Sequence, residues 1–142
     1  MPELPEVEVV KKSLERKLKN LTIKKVNIHN NKLRYRINIK QFNKIKNQKI
    51  ISIQRRSKYL LINLSNYLTI LVHLGMTGKF FIINNKKKYK TSFYYTIKRK
   101  DIKHDHLTFY FAKKIKLIYN DVRRFGFIKI FSSKNIFISS HL

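Results

Sequence analysis

From Ile50 to Phe131 the chain keeps returning to one pattern, a short run rich in Ile, Leu, Val, Phe and Tyr closed by Asn, Ser or Lys. Such runs at short spacing specify β-strands joined by tight turns. They fall at 50 to 56, 59 to 64, 67 to 73, 79 to 83, 93 to 97, 106 to 111, 116 to 120 and 125 to 131. With only three glycines, the turns between them must be made by other residues. The expected fold is mainly β, a two-sheet antiparallel β-sandwich. Ten Phe, eight Tyr and 43% hydrophobic residues supply one core across 142 residues, which excludes a disordered basic tail.

The first stretch has a different period. Val7, Val10, Leu14 and Leu18 recur at helical spacing, Pro5 suits a first turn, and Glu6 and Glu8 suit the positive end of the helix dipole. A helix is expected over about 5 to 19, with Lys11, Lys12, Arg16, Lys17 and Lys19 turned away from the valines, packed on an edge or end of the sandwich. Residues 22 to 28 are β-like, and the sandwich is expected over about 22 to 131. Residues 32 to 47, basic with scattered Leu33, Tyr35, Ile37, Ile39, Phe42 and Ile45, read as a crossover or short helix. The Lys- and Tyr-rich stretch from 84 to 105 reads as a mobile insertion.

Lys and Arg number 33 against 7 Asp and Glu, a formal charge of +26. Such a field attracts polyanions and accelerates encounters with nucleic acid, DNA or RNA alike. An A/T-rich genome also produces lysine runs such as Lys86 to Lys88, so the charge is not wholly a functional signal. The sequence has no cysteine, hence no disulfide and no thiolate zinc site. Nothing resembles a signal peptide or an apolar run of membrane-spanning length, so a soluble, intracellular protein without membrane contact is expected.

Acid is scarce and it is placed: Glu3, Glu6, Glu8 and Glu15 all lie in the first fifteen residues. Residue 2 is small enough for the initiator Met to be removed, leaving Pro2 as a free secondary amine. An α-amino group titrates near about 7.7 to 8.0, so part of it is neutral and nucleophilic in the cell, and a helix dipole beside it favours that form. Glu3 can then serve as a general acid. The same residues also read as an ordinary helix start with dipole-matched glutamates. Met76 sits between Gly75 and Gly78, on a turn where a flexible apolar side chain is exposed and able to fill a gap in a base stack. Phe125 reads either as such a wedge or as sandwich core. His104 and His106 flank Asp105, but two histidines and one acid make a poor zinc site. Lys58 alone would read as a solvated edge-strand lysine.

Five stretches together resemble a known family. Met1-Pro2-Glu3-Leu4-Pro5-Glu6-Val7-Glu8, Gln54-Arg55-Arg56-Ser57-Lys58-Tyr59-Leu60-Leu61, His73-Leu74-Gly75-Met76-Thr77-Gly78, Lys103-His104-Asp105-His106 and Asp121-Val122-Arg123-Arg124-Phe125-Gly126 are similar, in the same order, to blocks of the bacterial formamidopyrimidine-DNA glycosylases. These base-excision repair enzymes remove 8-oxoguanine and ring-opened purines and nick the abasic strand. Leu4 favours this branch over the related endonuclease VIII branch, which typically starts Pro-Glu-Gly-Pro-Glu. The resemblance implies damaged double-stranded DNA as partner and a flipped-out lesion. It implies a Schiff base on Pro2, protonation of the sugar by Glu3, and β- then δ-elimination with Lys58 moving protons. It gives Met76, Arg123 and Phe125 to the gap left in the duplex and His104 to the DNA backbone, and calls for no metal or cofactor in these steps. A monomer in the bacterial cytoplasm, associated with the nucleoid, is expected.

Two departures stand out. Val122 occupies a position where the family usually has proline, which frees the backbone of the Arg123 loop and keeps its contact groups. The family's chains are about twice as long, adding a helix-two-turn-helix domain and a four-cysteine zinc finger that is absent here. The expectation is therefore a truncated N-terminal catalytic domain over 1 to 131, either a fragment or a truncated gene product, with 132 to 142 starting a linker to an absent C-terminal domain. Losing half of a specific binding energy of about 4 to 10 kcal/mol leaves weak, salt-sensitive binding and low turnover on duplex, while an already opened abasic site suffers least. The alternatives are a non-catalytic nucleic-acid-binding remnant of the family, whose binding would ignore Pro2→Gly, and a basic RNA-binding protein, which would prefer structured RNA to lesion duplex.

Overall fold

The computed structural model describes residues 4–84, 87–89 and 102–134. The helical spacing of the first stretch forms α1 (Leu4–Leu18), with Glu6 in its first turn, Arg16 and Lys17 in its last, and Val7, Val10, Leu14 and Leu18 buried. Asn20 ends it in the left-handed conformation, φ 71°, and donates its amide to the Ile50 carbonyl at 2.8 Å. Asparagine tolerates that conformation because its short side chain bonds locally.

Nine strands follow among the described residues: β1 (Ile23–Ile28), β2 (Ile50–Arg56), β3 (Tyr59–Leu64), β4 (Leu68–His73), β5 (Gly78–Asn84), β6 (Lys87–Tyr89), β7 (Asp105–Phe111), β8 (Ile115–Asp121) and β9 (Phe127–Ser132). They make two sheets, one in the order β1-β7-β8-β5-β6 and one in the order β2-β3-β4-β9, with every neighbouring pair antiparallel. The two-sheet antiparallel sandwich expected from the strand spacing is the fold observed. Alternation works as it should: Leu60, Ile62 and Leu64 of β3 and Leu107, Phe109 and Phe111 of β7 enter one shared core with α1. A smaller cluster of Leu61, Leu71 and Phe127, joined by Tyr59 and Phe131, lies apart from it and uses the alternate residues of the four-stranded sheet. The helix packs on β2 and β3, and β2 is the edge strand of its sheet.

Residues 32 to 47 contain a five-residue helix, α2 (Ile39–Asn43), whose Asn38 side chain accepts from the Gln41 amide at 3.4 Å. Leu33, Ile37, Phe42 and Ile45 from this stretch are buried in the core. Most of the stretch from 84 to 105, expected as an insertion, lies outside the described residues; its two ends are described. Asn84 ends β5, β6 pairs back on it with Ile83 opposite Lys88, and Ile102–His104 form a 3₁₀ turn leading into β7. The run expected as a strand at 93 to 97 lies outside the described residues, as does most of the 132 to 142 stretch.

The topology gathers the expected site residues at one end. β4 crosses to β5 and β8 crosses back to β9, so both connections pass between the sheets. The flanking pairs are His73 opposite Phe127 and Gly78 opposite Asp121. Tyr59 pairs with His73, which brings the β2–β3 hairpin tip to the same end, and Asp105 pairs with Asn120, which brings the 3₁₀ turn there too. The N-terminal half of α1 joins them, because Glu8 takes the Arg55 guanidinium at 2.8 Å while the helix finishes at Ile50 on the opposite end of β2.

Candidate functional site

Two segments 47 residues apart in sequence meet at this end. The Arg123 guanidinium donates to the Met76 sulfur at 3.3 Å and lies 4.6 Å above the Phe125 ring. Met76 and Phe125 are 47% and 44% exposed, and Val122 beside them 42%. Phe125 is therefore not sandwich core. Two exposed apolar side chains against a cation, with a third next to it in sequence, held at the tips of tight connections, are unusual because such groups normally gain by burial.

The backbone beneath this cluster is very close-packed. Gly75 has φ +63°, and a Cβ on it would lie 2.5 Å from the Gly126 amide nitrogen and 2.6 Å from the Phe125 carbonyl carbon. Only glycine lets the Met76 turn touch the Phe125 loop this closely. Asp121, fully buried, ends β8 and joins the two: its Oδ1 accepts the Thr77 hydroxyl at 2.6 Å and the Arg124 amide at 3.0 Å, and its Oδ2 accepts the Tyr119 hydroxyl at 3.0 Å and the Gly126 amide at 2.9 Å. Burial, with the Asp121 charge beside it, pushes the Tyr119 phenol well above its ordinary range, so it remains a donor.

His73 is buried at the mouth of an open cleft of about 470 Å³ lined by Arg34, His73, Gly75, Met76 and Phe125. Its Nδ1 accepts the Gly75 amide at 3.0 Å, and its ring stacks on Phe127 with centroids 5.6 Å apart. Burial, with Arg34 and Lys58 nearby, lowers its pKa, so the neutral ring that can accept this bond is favoured.

Lys58 sits half-buried at the tip of the two-residue β2–β3 turn, where Ser57 has φ 54°. It is thus at a hairpin tip beside His73 rather than along an edge strand. His104, half-buried, closes the 3₁₀ turn. His106 is 1% exposed and its Nε2 donates to the Asp121 carbonyl at 2.7 Å, while Asp105 accepts from Asn120 at 2.9 Å. Those bonds tie both residues to β8. Pro2 and Glu3 lie outside the described residues; the described chain begins at Leu4, on the same end as the other groups.

Met76, Arg123 and Phe125 are thus in direct contact, with Lys58 and His104 on neighbouring segments of the same face. Sequence reasoning passed over Asp121 as a separate residue, together with Thr77, Tyr119 and Arg34. A carboxylate at the end of an apolar strand, in a chain with only seven acids, was the available signal for Asp121.

Known proteins resemble this chain in sequence and in fold. The sequence profile described as the formamidopyrimidine-DNA glycosylase N-terminal domain matches residues 1–128. The chain is 44% identical over 134 residues to the formamidopyrimidine-DNA glycosylase of Rickettsia bellii, covering 94% of this chain and 45% of that protein. The Rickettsia africae enzyme of the same name is 41% identical over 133 residues, covering 94% and 44%. Among solved structures, Lactococcus lactis Fpg in complex with abasic-site DNA superposes with a TM-score of 0.79 at 29% identity, covering 96% of this chain and 46% of that one. The complex of the same enzyme with DNA containing N7-benzyl-Fapy-dG gives 0.78 at 31%, with the same coverage. The chain spans about half the length of the curated relatives it matches. A helix followed by a two-sheet sandwich, with its glycine-packed turns at one end and matched across nearly its whole length, places this chain in the formamidopyrimidine-DNA glycosylase family, as the N-terminal domain.

Proposed function

We propose that the chain acts in base-excision repair as a DNA glycosylase and abasic-site lyase that removes oxidised purines, 8-oxoguanine and formamidopyrimidines, from duplex DNA. The reading is carried by the Met76–Arg123–Phe125 cluster, exposed apolar groups around a cation on a strongly basic chain. A lesion nucleotide must leave the stack before its C1′ can be attacked, and the gap it leaves needs a filler. Met76 and Phe125 fill and wedge, and Arg123 pairs with the orphaned base or a phosphate. The Fpg structures that the chain superposes on contain abasic-site or Fapy-dG DNA, which supports the same reading.

In this proposal Pro2, freed by removal of Met1, forms a bond from its nitrogen to C1′ as the base departs with the glycosidic bonding electrons and takes up the amine proton; Glu3 protonates the sugar ring oxygen, the C1′–O4′ bond breaks, and the nitrogen lone pair closes the iminium. The resulting iminium acidifies the C2′ proton. Its loss expels the 3′ phosphate, and a second elimination expels the 5′ phosphate. Lys58, at the hairpin tip, carries protons in these eliminations, and His104 holds the DNA backbone.

Borohydride reduction of the purified chain on two duplexes, one with an abasic site and one with 8-oxoguanine, tests this. Mass measurement first verifies a free Pro2. A covalent adduct is expected on the abasic duplex, larger than on the 8-oxoguanine duplex, and absent in Pro2→Gly. No adduct on either duplex leaves a non-catalytic nucleic-acid-binding domain as the better reading.

A further inference from the structure

Asp121 has the most crowded polar surroundings described for this end of the sandwich. A carboxylate presents about four acceptor directions and no donor, and all four are taken: Thr77 and Arg124 on Oδ1, Tyr119 and Gly126 on Oδ2. The Thr77 hydroxyl, while donating to Asp121, accepts the Arg123 amide at 2.9 Å. The His106 ring holds the Asp121 backbone carbonyl at 2.7 Å, which ties in the segment that follows His104. Met76 is the residue before Thr77, and Arg123 and Phe125 flank Arg124.

We infer that Asp121 is the positioning residue of the wedge: its buried carboxylate locks the Met76 turn and the 123–126 loop into one body, so that Met76, Arg123 and Phe125 enter the base stack together. The inference rests on the wedge reading proposed above.

Filling space does not account for the arrangement. An apolar side chain of similar volume would leave two backbone amides and two hydroxyls facing no acceptor. The anchored loop is also one that drifts when untied. Arg124 holds φ 60°, a conformation that a non-glycine residue keeps only where its surroundings impose it, and its amide bond to Asp121 is one such restraint. Asparagine at 121 preserves the shape and breaks the logic. Its single oxygen serves two donors, and its NH₂ then faces the other two. A hydroxyl can reverse and accept, but a backbone amide cannot, so either Arg124 or Gly126 loses its anchor.

The test uses a duplex carrying 2-aminopurine beside an abasic-site analogue, whose fluorescence rises when the probe is unstacked. The wild-type chain is expected to unstack it. Asp121→Asn and Thr77→Val are each expected to slow that step by about tenfold or more, since displacements near 1 Å are costly at such sites. Their affinity at low salt, set by cations on phosphates, stays within about twofold of wild type. Thr77→Ser, which keeps the hydroxyl, restores the rate. A residue that served only stability would lower the melting temperature and leave unstacking by the folded protein unchanged. Unstacking at the wild-type rate in Asp121→Asn and Thr77→Val overturns the inference and leaves the wedge standing. A wild-type chain that leaves the probe stacked removes the wedge reading and this inference with it. Should Asp121→Asn not fold, the Thr77→Val and Thr77→Ser pair decides alone.

Discussion

The helix seam and the loop end of this sandwich follow opposite rules. Along α1, Val7, Val10, Leu14 and Leu18 go inside, while Glu6 marks the first turn and Arg16 and Lys17 the last. At the loop end, Asp121, Asn120 and His106 are buried, and Met76, Val122 and Phe125 stand in solvent. Both regions are well ordered by their own chemistry, but only the first is what folding alone would produce. The seam draws its stability from apolar area removed from water. The loop end buries polar groups in order to display apolar ones, which costs stability unless every polar group finds a partner. That inversion, more than the charge, marks where the molecule meets something else.

Four substitutions probe the contrast. The largest effect belongs to the seam. Leu18 is fully buried, so Leu18→Ala should lower unfolding free energy by about 2 to 5 kcal/mol in urea titration, with the wedge geometry untouched. A smaller effect belongs to the seam's polar side. The Arg55 hydrogen bond holds the Glu8 carboxyl below its ordinary value of 4.5. The unfolded chain therefore takes up this proton first as pH falls, so the stabilisation is present above 4.5 and is lost as pH drops through the lower folded value. With both groups near 30% exposed, the pair should contribute at most about 1 kcal/mol, and Glu8→Gln should remove that part of the acid slope. The smallest stability effect belongs to the loop end. Met76→Ala and Phe125→Ala should each leave unfolding free energy within about 0.5 kcal/mol of wild type while losing most of the unstacking activity. If Phe125→Ala proved as destabilising as Leu18→Ala, the two regions would not obey different rules.

Much of the fold was legible because strands and helix carry strong periods. The runs at 50 to 56 and 59 to 64 form strands with those bounds, and the helix is displaced by a single residue. The strand expected from 67 begins at Leu68, because Tyr67 takes φ 63° in the turn before it. The one expected from 125 begins at Phe127, because Arg124 is left-handed and Phe125 is in the exposed loop. Residues 32 to 47 resisted because α2 is too short to show a helical period and its neighbours reach the core without regular structure. At the site, Met76, Arg123 and Phe125 could be named from their blocks, but their mutual contact could not. Thr77 meets Asp121 across 44 residues, and nothing local in either segment announces it. The antiparallel pairing of β5 with β8, which sets Gly78 opposite Asp121, brings them together.

The glycines carry a last consequence. Elsewhere among the described residues, left-handed backbone is occupied by Asn20, Asn47, Ser57, Tyr67, Lys113, Lys114 and Arg124. None of these positions uses glycine, the residue best suited to them. The three glycines of the sequence are Gly75, Gly78 and Gly126, and a Cβ on any of them would run into the joint formed by Leu74, His73, Tyr119 and the facing loop. They stand instead where there is no room for one more carbon. The joint between the Met76 turn and the Phe125 loop can therefore change only as a pair, and a viable replacement on one side would have to arrive with a compensating one on the other.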